Sequence, residues 1–432
     1  MDYLYYSVLL FNVATYGYLL ASMVLIFNLI TKNDRLIKVF KVLAIVIVAS
    51  HTSALLLRWV QAGFDRPPWT NLYESLIFFT WGLGLVSTVV IFQYRTYFLA
   101  TFLYPLAFAG LGLAAMVPDK SLTPLVPSLQ SYWIKIHVVM ASMAYPGFIT
   151  ASVISLAYLL KSKTRIESLA IGFSVTAIFA LFIVGRSGVF LNGVYEVNQT
   201  MLNAAGYFSK IPIDPSAKTV EFMQVVIPGA GAMFWATALS FLAAILYAIG
   251  SMKDAGNKMC SKMLQFFLIT AQASFGLLLA IIYYNISLSD DVSINSNMYE
   301  MAILWMAFGV GVFFLLYTFY RDGIDAFLPA ADWLDEFAYK VTLFAFPFMT
   351  LLLITGAIWA YSAWGRYWGW DPKETCALLT WMIFAGYLHS RRYFDTMGRP
   401  AAVINIIGGL SVFFTFLGAN LVLSGLHSYG AQ

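Results

Sequence analysis

The sequence predicts an all-α polytopic membrane protein of about twelve transmembrane helices, and three observations carry that prediction. Hydrophobic residues make up 61% of the 432 and charged residues only 11%, where a soluble domain carries about 25% charged. The apolar residues come in runs long enough to cross a hydrocarbon core, which takes about 20 helical residues. The alternating pattern of barrel strands is absent. The net charge of +4 is spread over many short loops and is no nucleic-acid signal.

Twelve runs qualify: roughly 4–30, 38–62, 72–93, 97–117, 133–160, 167–189, 226–251, 263–286, 301–320, 341–362, 374–390 and 401–424. The first is not a cleavable signal peptide, because it lacks a basic start and its apolar stretch is too long. Lys and Arg fix the orientation. With the N-terminus outside and strict alternation, the inside loops hold 16 basic residues and the outside loops 6, while Arg58, Lys135 and Arg186 fall within spans. Both termini are therefore expected outside. Cys260 falls on the inside and Cys376 at the outer end of the eleventh span, so they cannot bridge. No C-x-x-C exists, so the chain is not itself a dithiol oxidoreductase.

The loop before the eleventh span reads "WGRYWGWDPKE" at 364–374. Asp371, Pro372 and Glu374 form a helix start: a good N-cap, proline at the first helical position and the spacing of a capping box. The rings also suit an interfacial aromatic belt. Neither explanation accounts for the density, since Trp359, Trp364, Trp368 and Trp370 are four of the chain's twelve tryptophans. Gly365 and Gly369 alternate with them and would let the backbone approach a flat ligand. Large rigid rings suit stacking on such a molecule.

The four histidines point the same way. His137 falls in the outer turn of the fifth span and His427 just past the outer end of the twelfth, on the side of the aromatic loop. A flat ligand with a central metal, held by an imidazole on each face, joins these features, and haem fits. His389 and His51 lie deeper and are candidates for a second haem within the membrane. The plain alternative for each is a histidine bonded to a neighbouring helix. Arg58, Lys135 and Arg366 lie near the outer face as candidates to pair with haem propionates, or as ordinary snorkelling cations.

Taken together, "WGRYWGWDPKETCALLTW" at 364–381 resembles the tryptophan-rich signature of the haem-handling WWD superfamily of cytochrome c maturation. "DPKET" with "YLH" downstream resembles its CcsA/ResC branch, system II. "RWVQAGFDRPPWTNLYESLIFFTWG" at 58–82, "KIHVVMASMAY" at 135–145 and "GLHSYG" at 425–430 extend the match. The resemblance implies export of haem b and its presentation to the Cys-x-x-Cys-His motif of apocytochrome c, as the haem-handling subunit of a haem lyase. It implies a CcsB/ResB-type partner, a thioredoxin-like thiol reductant, contact with membrane lipid and no nucleic acid. By the same resemblance, Trp364, Trp368, Trp370 and Asp371 form the outer platform, His137 and His427 ligate the outer haem, and His389 belongs to the membrane site. It also implies the bacterial plasma membrane with the active face outside the cytoplasm, a thylakoid membrane being the second choice.

Two departures stand out. Cys376 replaces the family's usual Trp just below the platform. Residues 166–322 add four spans, an outside loop at 190–225 with "NQT" at 198–200, and Arg186 within a span. The expected division is therefore 1–165, the insertion 166–322, and 323–432 with the aromatic loop. Two other readings use the same residues: a di-haem quinol oxidoreductase with permanent haems, and a plain multi-span transporter with none.

Overall fold

The computed structural model describes residues 3–63, 66–69, 71–116, 120, 122, 131–185, 194–197, 200–202, 208–210, 223–226, 229–254, 258–287 and 298–418. Twelve α-helices run in chain order among them: α1 Tyr3–Thr31, α2 Asp34–Ala62, α3 Leu72–Tyr94, α4 Ala100–Met116, α5 Tyr132–Lys161, α6 Ile166–Gly185, α7 Ala230–Lys253, α8 Lys258–Ser287, α9 Met298–Phe327, α10 Ala331–Trp364, α11 Pro372–Tyr393 and α12 Arg399–Phe413. A five-residue π segment, Phe414–Gly418, follows α12. The chain divides into two compact units, Met1–Lys163 with Asp325–Gln432, and Thr164–Ile324.

The helices turn apolar side chains outward. On α1, Tyr5, Leu9, Val13, Tyr16, Leu20, Met23 and Phe27 are exposed at helical spacing, while Phe11, Ala14, Tyr18, Ala21 and Leu25 face the protein. Water would penalise such a surface, and lipid does not. Because lipid is as apolar as leucine, helices here gain by close packing of small residues. α5 and α10 show this: a Cβ on Gly147 would stand 2.7 Å from the Cβ of Ala345. α5 is buried almost without interruption from Ala144 to Ala151. A helix apolar and buried all round is a central one, and α5 packs against α3, α10 and α12. At the end of this unit away from the tryptophan loop, the Asp335 carboxylate accepts from Arg391 and from the Gly398 N–H, joining α10, α11 and the start of α12.

The second unit, by itself, is built round Phe234, Phe241, Phe275 and Leu278 from α7 and α8, with Ala177 and Leu181 of α6 and Leu304 of α9. Its interior carries polar links of the kind that join membrane helices. Thr237 donates to Ser274 at 2.9 Å, and the Gln272 amide donates to the Phe308 carbonyl at 2.8 Å.

The all-α polytopic membrane fold expected from the sequence is what the structure shows, and it differs in two details. The described residues are not wholly helical: β1 Val194–Val197 pairs antiparallel with β4 Met223–Val226, and β2 Thr200–Leu202 with β3 Phe208–Lys210. The β-branched and aromatic residues there, in a polar stretch between spans, suit short ladders. Nor do all twelve helices match the apolar length expected of a span. Among the described residues nine do, and α9 makes a tenth if its two pieces, bent by 77°, count as one. α6 has a shorter apolar stretch, Ile166–Phe182, and α11 carries Lys373, Glu374, His389, Arg391 and Arg392. α10 also begins ten residues before its predicted span. Asp332, Asp335, Glu336 and Lys340 make those extra turns polar, so hydropathy alone leaves them out.

Candidate haem pocket

The pocket lies in the first unit, and its walls follow from local sequence. Gly365 ends α10 in the left-handed region, at φ +73°, with its N–H bonded to the Tyr361 carbonyl. A glycine is favoured there because it lacks a Cβ. The chain then loops through Arg366–Trp370, and Trp370 itself is left-handed at φ +56°. A bulky residue held in that region is strained and needs its surroundings to hold it. Asp371 caps α11 by accepting from the Lys373 N–H at 3.1 Å, with Pro372 at the first helical position and the capping box closed by Glu374. Glu374 reaches further than a capping box requires. Its Oε2 accepts from the Gly369 N–H at 2.8 Å and the Asp371 N–H at 3.3 Å, so α11 grips the aromatic loop.

Beneath this loop lies a cavity that opens to its surroundings. His137 of α5 stands in its wall with Trp359 of α10, Tyr367 and Trp368 of the loop, Trp69 before α3, and Phe79 stacked on Phe416 at 4.4 Å. The His137 ring lies nearly parallel to Trp359, centroids 6.0 Å apart at 22°. Its Nδ1 is 3.0 Å from the Leu352 carbonyl. A carbonyl only accepts, so this bond places the proton on Nδ1 and the ring lone pair on Nε2, the arrangement of a metal-ligating histidine. Gly356, one turn beyond Leu352, makes the fit possible. A Cβ there would stand 2.8 Å from His137 Cε1 and 2.9 Å from Nδ1. The imidazole tautomer, the missing Cβ and the ring walls fit haem.

The expected site residues separate under this geometry. His137 and Trp368 meet in the pocket wall. Trp364 stands behind, against Trp359 at 5.0 Å. Trp370 is 70% exposed, edge-on to Trp368 at 5.9 Å, and lies outside the wall. Asp371 is buried beneath the loop as its cap. Arg366 is exposed, and its guanidinium covers Gly369. His427 lies outside the described residues, as do Arg186 and the Asn198–Gln199 part of "NQT".

Arg58 is not in the wall. It is buried with its Nε 2.9 Å from Glu74, its Nη2 donating 2.8 Å to the Lys120 carbonyl, and its guanidinium over the Tyr73 ring. Arg66 approaches the same carboxylate at 3.5 Å. These pairs organise the connection between α2 and α3, which carries Trp69 to the pocket.

The deeper histidines are apart from the pocket. His51 is fully buried, with Nε2 3.1 Å from the Ile77 carbonyl and Nδ1 3.3 Å from the Tyr18 hydroxyl. Both ring nitrogens are thus engaged within the helix bundle, as in a core histidine. His389 lies sixteen residues from Lys373, about 24 Å along α11. Its ring is exposed and packs on Tyr393 and Phe394. Neither Cys376 nor Cys260 is part of a disulfide.

Sequence reasoning missed Gly356, Lys373, Tyr367, Trp69 and Phe416 as pocket residues. Tyr367 and Lys373 stood inside the quoted loop, where the tryptophans drew attention instead. Gly356 and Phe416 carried no signal, because their roles arise only from helix packing.

Comparison with known proteins agrees with this geometry. The chain is 27% identical to the cytochrome c biogenesis protein CcsA of Trichormus variabilis, over 89% of this chain and 86% of that protein. It is 28% identical to CcsA of a Picosynechococcus species, over 89% and 86%, and 28% identical to CcsA of a Synechocystis species, over 88% and 84%. Residues 69–427 match the family described as cytochrome C assembly protein, so the chain belongs to that family and is an integral membrane protein of cytochrome c biogenesis, a role that implies haem handling and an encounter with apocytochrome c.

Proposed function

We propose that this protein carries haem b outward across the membrane and presents it to the Cys-x-x-Cys-His motif of apocytochrome c, as the haem-handling subunit of a system II haem lyase with a CcsB/ResB-type partner. The observation that carries this reading is His137, held by Leu352 and Gly356 with Nε2 as its lone-pair nitrogen, in a cavity walled by Trp359, Tyr367 and Trp368. By the family resemblance, His427 would be the second histidine to hold the haem. Haem supplies the iron and the vinyl groups that become thioethers. The chain's own contribution is position: the imidazole fixes the iron, the rings fix the plane, and the clamped loop keeps water from the enclosed faces. His389, exposed on its helix, serves a second haem in the membrane together with a partner residue. We assign His51 a structural role, because both its ring nitrogens are engaged. A thioredoxin-like protein keeps the apocytochrome thiols reduced, and the loop faces away from the cytoplasm of a bacterial plasma membrane.

The test is the spectrum of the purified protein. His137→Gly is expected to lose the outer haem and cytochrome c assembly, with free imidazole restoring part of both by filling the vacated position. Assembly and haem content equal to wild type in that variant would remove His137 from the mechanism.

A further inference from the structure

One face of α5 supplies a continuous strip of the cavity wall. Ile134, His137, Val138, Ala141, Ser142 and Tyr145 follow at helical spacing, over about 16 Å of helix. His137 stands near the loop end of that strip, and Tyr145 closes its other end, about 12 Å deeper along the axis. Tyr145 is only 6% exposed, and its ring packs beside Phe79 at 6.4 Å. A phenol buried so deeply normally has a hydrogen-bond partner. Tyr18 and Tyr104, buried in the same unit, both have one: their hydroxyls meet His51 at 3.3 Å and Thr88 at 2.8 Å. Among the described residues the Tyr145 hydroxyl meets none, and the surface this side chain keeps lines the cavity. The neighbouring wall hydroxyl, Ser142, already donates to the Val139 carbonyl at 2.8 Å. A ligand that fills this end of the cavity must therefore offer the phenol an acceptor, or leave a buried O–H unsatisfied. On the rim of haem b the oxygens are those of the two propionates. The rest is methyl, vinyl and C–H.

We propose that Tyr145 is the acid-edge recognition residue of this pocket, donating its phenol O–H to a propionate of the haem whose iron His137 ligates. The proposal rests on the haem reading above. α5 alone then fixes two points of the ligand, the iron through His137 and the acid edge through Tyr145, while the aromatic loop fixes the plane through Trp368. In protoporphyrin the propionates share one edge and the vinyls lie across the ring from it. An acid edge at Tyr145 turns the vinyls, which become the thioethers, toward the aromatic-loop end of the cavity. It also selects against porphyrins that carry no oxygen on the rim.

The test compares two probes on the full-length protein, purified haem-free from haem-deficient cells: haem, and iron octaethylporphyrin, whose rim carries ethyl groups and no oxygen. Both are delivered from detergent micelles, and binding is read from the Soret band during titration. Wild type is expected to bind haem about tenfold or more tightly than iron octaethylporphyrin, the scale of one buried hydrogen bond. Equal affinities in wild type overturn the proposal before any variant is made. Tyr145→Phe keeps the ring and removes only the hydroxyl. It is expected to weaken haem binding about tenfold and to leave the second probe unchanged. Unchanged haem binding in Tyr145→Phe, or equal loss of both probes, overturns the proposal. His137→Gly separates the two readings. If it binds both probes as wild type does, the haem-pocket reading itself fails. If it weakens both while Tyr145→Phe keeps the wild-type preference, only the role of Tyr145 fails.

Discussion

Gly356 has no side chain, and the imidazole of His137 stands where one would be. A methyl group there meets a flat, rigid ring already bonded to Leu352 and stacked near Trp359. Gly356→Ala is therefore expected to turn His137 away from the Leu352 carbonyl, with the protein still accumulating in the membrane. Disturbing a group that orients a metal-binding histidine typically costs 10–100-fold in affinity. Haem retained per protein, read from the Soret band, checks this. Wild-type haem content in Gly356→Ala would show that the ring has room to move.

At the scale of the element, the aromatic loop and the start of α11 form one unit because a single carboxylate joins them. Glu374 closes the capping box with one N–H and holds Gly369 with another. The Asp371 side chain caps the helix by accepting from the Lys373 N–H, and serine or asparagine caps about as well. Asp371→Ser should therefore keep the loop in place. Glu374→Ala leaves two N–H groups without their acceptor, at about 1–3 kcal/mol for each that stays buried, and should loosen the loop. Arg366 is exposed within it, so trypsin reports the difference: faster cleavage at Arg366 in Glu374→Ala than in Asp371→Ser, with lower haem content. Equal cleavage rates would show that the tryptophans hold the loop without Glu374. The capping box was legible in the sequence because it is local, a matter of three residues and their spacing. So was His137 as a candidate, since an imidazole in a span is costly and conspicuous. The grip on Gly369, the place of Gly356 and the departure of Arg58 to Glu74 were not legible. Each depends on which helices come together, and one sequence does not print its pairings.

At the scale of the whole molecule, twelve apolar runs were legible, and twelve α-helices lie among the described residues, nine or ten of them long and apolar enough to cross a membrane. Four short strands escaped notice in a loop too polar and too brief for its alternation to stand out. Two helices are weak by apolarity: α6, on which the side of the aromatic loop depends, and α11, on which the side of the C-terminus depends. α6 has 20 residues, about 30 Å of helix, and α11 has 22, about 33 Å, so each is long enough to reach across a hydrocarbon core. If α6 failed to cross, every later loop would change sides, and the aromatic loop would meet the cytoplasm. The basic residues argue against that inversion, since it would move the lysines and arginines between α7 and α8, and those after α11, to the outside. A reporter active only outside the cytoplasm is therefore expected to work when inserted within 364–370 and also when fused after Gln432, and to fail when inserted at 255–257. Activity within 364–370 but not after Gln432 would mean that α11 or α12 does not span. Activity at 255–257 with silence at 364–370 would mean that α6 lies along the membrane, and a pocket open to the cytoplasm would receive haem there and have no apocytochrome to give it to.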